Sequence, residues 1–503
     1  MKTAKRFFSC LLAMLMAFSL AACGEDVPDQ GGKEPTKTTP TIGTPKHCHS
    51  WSDANCVRPK TCTDCGQTEG QALGHSFVMG VCSVCGEVDE TLLIPSEGLA
   101  FELNEAGTAY TVVGIGTCTD ADIVIPEVHN DLPVTAVKEY AFQACDQITA
   151  LYLPDSITEV GNSAFRDCDE LRTIVLSKAM MAISDSMLET CDKLQTLVIP
   201  EGVTSIGHSA LRNCKQLQEV TVPTTLRFVD ASAFSSCDKL QNVHITDLTA
   251  WLLISFESNP LAEGDDVSLL LNGQLVTEVV IPEEITEIQN RAFLCYEKLT
   301  SLVIHDGVTA IGISALEACH GLKTVTIGQN VKTIAEQAFE NCSAIEQLTI
   351  PNSVTTIGDN AFANCYALSS LAVYGDLTNL GEGVFGGCTG LTDVYLDEGM
   401  TVLGKEMFNM CTSLPKISIP STVKELGYGV FWSCKELTEI VIPASVEKIG
   451  DYAFKSCKKL ENIYCAVESK PEKWDSGWHS ECQAKVHWLG SWQYVDGKPE
   501  AKE

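Results

Sequence analysis

A cysteine returns every 23 residues along most of this chain. Cys145, Cys168, Cys191, Cys214 and Cys237 stand in one frame. After an irregular stretch the frame resumes at Tyr296 and runs on through Cys319, Cys342, Cys365, Cys388, Cys411, Cys434 and Cys457, giving thirteen units. Each anchor sits in A-F-x-x-C-x-x-L or a close variant, as in Ala453, Phe454, Cys457 and Leu460. A fixed period in the range of 20–50 residues marks stacked supersecondary units rather than a chain of independent domains. One unit offers about six apolar side chains, such as Leu437, Ile440, Ile442, Val446, Ile449 and Phe454. Burying six side chains does not repay the ordering of a whole unit, so each must be covered by its neighbours.

Within a unit, Leu-x-x-Ile-x-Ile-Pro reads as a short strand that Pro443 ends, and Gly450 marks the turn into the return segment. Equivalent cysteines then lie one coil apart with parallel side chains. Parallel Cβ atoms about 5 Å apart are too far for a relaxed disulfide, which wants about 3.8 Å. Zinc needs four ligands converging on a point, not a line. The row therefore reads as buried packing. Leu188, Leu211 and Leu316 replace the usual Phe without losing the period, which fits that role. At Tyr296 the chain reads AFLCYEKL, with Cys295 one place out of frame.

The unit IPASVEKIGDYAFKSCKKLENI resembles the BspA-like, Treponema-type leucine-rich repeats of bacterial surface proteins. The resemblance implies a repeat solenoid, a right-handed coil of 23-residue units with a parallel β-sheet on its concave face, over residues 133–465. It also implies non-catalytic binding at a cell surface, to host matrix protein, mucin or glycan, or another microbe.

The flanking segments differ in kind. Residues 1–22 carry Lys2, Lys5 and Arg6, then an apolar run too short to span a bilayer comfortably, and read as a signal peptide. Leu20-Ala21-Ala22-Cys23 resembles a bacterial lipobox, which implies cleavage before Cys23 and lipidation of its thiol, the membrane being met through that lipid alone. Residues 23–46, rich in Pro, Gly and Thr, read as a disordered tether. Residues 47–90 form a Cys/His-rich module, 97–132 a β cap, 246–283 an insertion within the repeats, and 466–503 a C-terminal cap and tail in which Trp474, Trp478 and Trp488 suit closure of an open stack. With 34 basic and 66 acidic residues the formal charge is −32. That argues against nucleic acid as a partner, because phosphates need cationic neutralisation. The chain is expected to be extracytoplasmic, surface exposed and monomeric.

In the module, Cys62-x2-Cys65 and Cys82-x2-Cys85 are spaced like a zinc ribbon, so Cys62, Cys65, Cys82 and Cys85 are one ligand set for a structural zinc. His49, Cys56, Cys62 and Cys65 are an alternative set, and disulfides are a third reading in an exported protein. No H-E-x-x-H, G-x-S-x-G, Walker loop or dinucleotide fingerprint occurs, so the chain reads as a non-enzyme.

Between the two strand aliphatics, the outward positions are mostly small or β-branched. Tyr152, His244, Tyr395 and Tyr464 stand out as binding anchors, and Trp251 in the insertion either covers a solenoid edge or is a further candidate. Asn272-Gly273 suits a type I′ hairpin turn, and LTAWLLISF a short helix. Cys465 occupies an inward strand position, so it is either buried or bonded to Cys482 in a disulfide that staples the cap. Binding through the solenoid is the leading reading. A structural spacer of the cell envelope and the targeting arm of a secreted enzyme system are the alternatives.

Overall fold

The computed structural model describes residues 93–264, 266–375 and 377–502, with the backbone of five short strands between residues 51 and 82. The chain divides into two units, Met1–Leu73 and Gly74–Glu503. In the first, Trp51–Ser52, Lys60–Cys62 and Thr68–Glu69 pair antiparallel. In the second, Phe77–Val78 and Val81–Cys82 form a hairpin, and the remainder is a solenoid of about sixteen turns. The signal segment, the lipobox with Cys23 and the tether lie outside the described residues, as do all side chains of the Cys/His module.

One coil shows how the sequence dictates the turn. Strand Glu439–Ile442 sends Ile440 and Ile442 inward, and Pro443 ends it. A second short strand, Lys448–Ile449, follows, and the chain then turns through Tyr452 and Ser456, both at positive φ. That pair of left-handed residues recurs in most coils, at Ser209 and Asn213 or Asn360 and Asn364, and glycine takes both places at Gly383 and Gly387. Small polar residues and glycine tolerate this region best. Gly450 has a different duty: a Cβ there would lie 2.5 Å from the Tyr428 backbone nitrogen, so glycine permits the close approach of adjacent coils.

Adjacent coils bond on three sides. Ile440 pairs with Ile463 and Leu426 with Ile449, each a parallel ladder shifted by one unit. On the turn side, the amides of Gly429, Phe431 and Ser433 donate to the carbonyls of Asp451, Ala453 and Lys455 at 3.0, 2.9 and 2.8 Å. The phenylalanines stack along that side from Phe339 to Phe454 with centroids 5.1–5.9 Å apart. Paired strands repeat at about 4.8 Å. The stack is therefore longer on the turn side and bends toward the strands, which form the concave face.

The cysteines are buried, and they also donate. Cys457 Sγ lies 3.1 Å from the Phe431 carbonyl, and Cys434 Sγ lies 3.2 Å from that of Phe408. The Phe431 carbonyl already accepts the Cys434 amide at 3.1 Å, so the thiol serves its second lone pair. Burial pushes Cys168, Cys214 and Cys457 up to about 12, and Cys191 and Cys434 well above the ordinary thiol value. Tyr296 takes the thiol position after the insertion, and its hydroxyl donates to the Val276 carbonyl.

The departures from the repeat have local causes. The insertion behaves as an irregular coil. Asp247 caps the helix Leu248–Leu252, Ser255–Phe256 extends the second sheet, and Ser268–Leu271 extends the first. Asn272 and Gly273, both at positive φ, turn the chain into Gln274–Leu275. No strand forms at 416–419, where Pro415 has no amide to give the preceding coil. The concave sheet is paired in blocks, interrupted between Thr173–Val175 and Thr196–Val198, and again between Thr324–Thr326 and Gln347–Ile350.

The ends are closed by different devices. Ser96 bonds the edge strand through its amide (2.9 Å to the Val124 carbonyl) and accepts the Val124 amide on its hydroxyl. Ala100–Leu103 and Tyr110–Gly114 form an antiparallel hairpin beside the second sheet. At the other end, Lys485–His487 adds a parallel strand, and Trp474 and Trp478 are buried, with Trp478 against the last ring of the phenylalanine stack, Phe454.

Candidate binding surface

Each concave strand exposes alternate side chains, and most are Thr, Ser, Val or Ala. The exception is centred on Tyr395, which is 49% exposed. Tyr374 stands beside it in the slot where Pro351, Pro420 and Pro443 end other strands. Their centroids are 5.3 Å apart with the rings tilted by 46°. The Tyr395 hydroxyl donates to Asp397 Oδ1 at 3.3 Å, while Asp397 Oδ2 accepts the Gly375 amide at 3.2 Å. Desolvation, and then the Asp397 carboxylate, push the phenol above its ordinary value. The pair is thus a fixed, outward-facing apolar platform with a carboxylate at its edge.

Two coils away lies the interruption between Thr324–Thr326 and Gln347–Ile350. It forms an open groove of 660 Å³, lined by Thr324, Val325, Thr326, Ile327, Leu348 and Thr349 together with Lys323, Gln329, Glu346 and Gln347. No ladder joins these two strands. The coils stay joined behind it: Phe339 and Asn341 donate to Ala361 and Ala363 at 2.7 and 2.8 Å, and Thr333–Ile334 pairs with Thr356–Ile357. Thr349 pairs with Ala372, and Ala372 with Tyr395, so the Gln347–Ile350 wall of the groove and the tyrosines share one block of sheet. Ala372 leaves the path between them low. Threonine hydroxyls and Gln347 offer donors and acceptors, while Val325, Ile327, Leu348 and the tyrosines offer apolar surface. The arrangement suits an extended ligand segment of mixed polar and apolar character.

The residues singled out from sequence do not converge. Tyr152 lies at the N-terminal edge, in a 440 Å³ groove with Pro95, Pro126 and Pro154. His244 is partly exposed, with Nε2 3.5 Å from Glu219 Oε2, an ion-pair distance without hydrogen-bond geometry. Tyr464 is only 4% exposed, because His487 and Trp492 of the tail pack over it at 5.0 and 5.4 Å, so it offers little surface to a partner. Trp251 is 1% exposed and donates its indole N–H to the Ala292 carbonyl at 3.0 Å. Of its two readings the edge-covering one holds: it glues the insertion to the next coil. Cys465 and Cys482 are free thiols, the first buried and the second half-buried, so of the two readings of Cys465 the structure takes the buried one. Indole rings close the cap: Trp492 donates to the Cys465 carbonyl at 3.0 Å. Cys62, Cys65, Cys82, Cys85, His49 and Cys56 have no described side chains, and among the described residues no His, Cys, Asp or Glu group is placed to hold a metal. Tyr374 was missed because it falls in a proline slot, outside the row of strand positions compared.

The family model described as BspA type leucine rich repeat region matches residues 135–259, 271–392 and 380–483. A leucine-rich repeat protein from Bacteroides ovatus is similar at 21% identity over 79% of this chain and 99% of its own, with a TM-score of 0.52, and shares the fold. A leucine rich cell surface protein from Faecalibacterium prausnitzii is 25% identical over 78% of this chain and 98% of its own, with a TM-score of 0.42. A leucine-rich repeat protein of T. pallidum is 19% identical over 46% of this chain and 90% of its own, with a TM-score of 0.31. No curated protein matches the sequence.

Proposed function

Because this chain belongs to the BspA-type leucine-rich repeat family, we propose that it is a non-catalytic surface lipoprotein that binds an extracellular macromolecule through the concave surface from Thr324 to Asp397. Proteins of this family are generally surface-associated, and their solenoids typically act as binding scaffolds. Among the described residues no helix is long and apolar enough to cross a membrane. The proposal places the lipid on Cys23, with the tether carrying the solenoid away from the membrane. A structural zinc in the Cys/His module, on Cys62, Cys65, Cys82 and Cys85, belongs to the same proposal. The ligand is a segment of host matrix protein, a mucin-type glycan or the surface of another microbe.

The observation that carries this reading is the open groove beside the Tyr374–Tyr395 pair, whose block of sheet forms one wall of that groove. The test is surface plasmon resonance with lipid-free chain over matrix proteins, mucins, glycans and peptidoglycan. Saturable binding is expected. Replacing both tyrosines by serine should weaken it at least tenfold, about 1.4 kcal/mol. Binding unchanged by that replacement would remove the concave surface from the proposal, and no saturable binding across the panel would favour the envelope spacer.

A further inference from the structure

The turn side of the solenoid carries a second aromatic surface, and its chemistry is unlike that of the concave face. Tyr428, Trp432 and Tyr452 lie on adjacent coils, partly exposed. Tyr428 meets the other two rings nearly edge-on, at 78° and 82°, with centroids 6.5 and 5.6 Å away. Trp432 and Tyr452 are 6.4 Å apart and tilted by 34°. Over the seam between those two sits the Lys455 ammonium, 4.8 Å from the Trp432 ring and 4.7 Å from that of Tyr452. Lys405 lies 5.7 Å above the Tyr428 ring.

Nothing in the repeat asks for these rings. The slot of Trp432 is Glu340, Ala363, Gly386 and Asn409 in the four preceding coils. The slot of Tyr428 is Asp359, Glu382 and Lys405 in the three preceding coils and Asp451 in the next. Tyr452 occupies a left-handed position, φ 59°, a slot that other coils fill with Ser163, Ser186, Asn360, Arg291, Gln337, Glu406 or glycine, and once with another tyrosine, Tyr140.

We propose that this aromatic face recognises an alkylated ammonium group carried by a partner without a neighbouring anion, and that Lys455 is its resident placeholder. The seated lysine shows which charge the rings accept. Glu481 pairs with the Lys455 ammonium at 3.0 Å while it sits on the rings, and keeps that partner if the lysine is pushed off them. A lysine ammonium is strongly hydrated, whereas a methylated ammonium sheds less water on reaching an aromatic face, so it displaces the lysine although the lysine is tethered. The chain's −32 charge favours a net cation over a zwitterion; beside the rings Glu382 pairs with Lys405 and Glu481 with Lys455, and Asp451 accepts the Gly477 amide.

The experiment uses the full chain labelled with 5-fluorotryptophan, the Trp432 resonance being assigned by its loss in Trp432→Phe. Tetramethylammonium chloride is titrated against sodium chloride at equal ionic strength. A saturable shift of the Trp432 resonance is expected with tetramethylammonium alone. Lys455→Ser, which empties the seam, should tighten binding about fivefold, and Tyr452→Ser should weaken it about tenfold. Retention of the Trp478 resonance reports that each variant is folded, and the unsubstituted chain decides the matter by itself if one is not. Trimethyl-lysine amide and phosphocholine, run as separate arms, should rank in that order. Equal shifts with sodium, no tightening in folded Lys455→Ser, or phosphocholine binding as tightly as trimethyl-lysine would overturn the proposal.

Discussion

Replacing Phe385 by leucine tests whether the aromatic stack adds stability beyond the burial of its members. Phe385 is fully buried between Phe362 at 5.5 Å and Phe408 at 5.8 Å, with rings inclined by 15° and 14°. Leucine already fills this slot at Leu188, Leu211 and Leu316, so the backbone accepts it. Two ring pairs at about 0.5–1.5 kcal/mol each make the stacking contribution about 1–3 kcal/mol. Loss of ring volume adds a transfer and cavity cost, and Phe234→Leu measures that cost separately. Phe234 is as buried as Phe385, yet among the described residues no ring stacks on it. Phe385→Leu should therefore exceed Phe234→Leu by about 1–3 kcal/mol in urea unfolding followed by tryptophan fluorescence. Repeat arrays can unfold in blocks, so amide exchange in the Phe385 coil should be read beside the global curve. A difference below about 0.5 kcal/mol would refute an energetic role for the stack, being too small for even one ring pair.

Three further outcomes are expected. The folded chain holds thiol protons more tightly than the unfolded one, since Cys168, Cys214 and Cys457 are raised to about 12 from 9.0; their contribution is full below pH 9 and is lost as pH climbs from 9 toward 12. Urea midpoints should fall across that window, and Cys457→Ala should flatten the fall; a midpoint independent of pH would contradict the burial account. Trp251→Ala should cost about 3–5 kcal/mol in the same unfolding assay, as an emptied core site does, whereas a contact residue would lose affinity with its midpoint unchanged. Elemental analysis of the purified chain should find one zinc, lost in Cys62→Ser/Cys65→Ser; zinc-free protein with Cys62, Cys65, Cys82 and Cys85 oxidised would replace the metal by disulfides.

The repeat was legible because it states one physical requirement thirteen times. Period, strand and turn followed from Leu437, Ile440, Ile442, Pro443 and Phe454, since a stacked coil puts equivalent residues in equivalent environments. The insertion was partly legible through Asn272-Gly273, whose backbone need is local. What stayed hidden depended on neighbours one coil away. The thiol bonds join Cys457 to Phe431, 26 residues earlier, and nothing in the cysteine's own frame announces an acceptor. Gly450 reads locally as a turn residue, but its necessity comes from the Tyr428 backbone in the coil beneath. Trp251 reads as exposable because its partner, the Ala292 carbonyl, lies beyond the insertion. Tyr374 and Tyr395 form a pair only through register, being 21 residues apart in sequence and adjacent in the stack.

The unit-to-unit bonding has an evolutionary consequence. Each regular coil presents to the next the same donors and acceptors that it receives from the one before, as in Leu426 with Ile449 or Ile440 with Ile463. Loss or duplication of one whole 23-residue unit by unequal recombination rejoins faces that already match, so the array can lengthen or shorten without a folding intermediate lacking partners. The coils flanking Leu248–Leu252 and Pro415 break that interchangeability, because their neighbours are fitted to them alone. Gains and losses of units should accumulate elsewhere, and these two places should serve as fixed markers against which array length drifts among relatives.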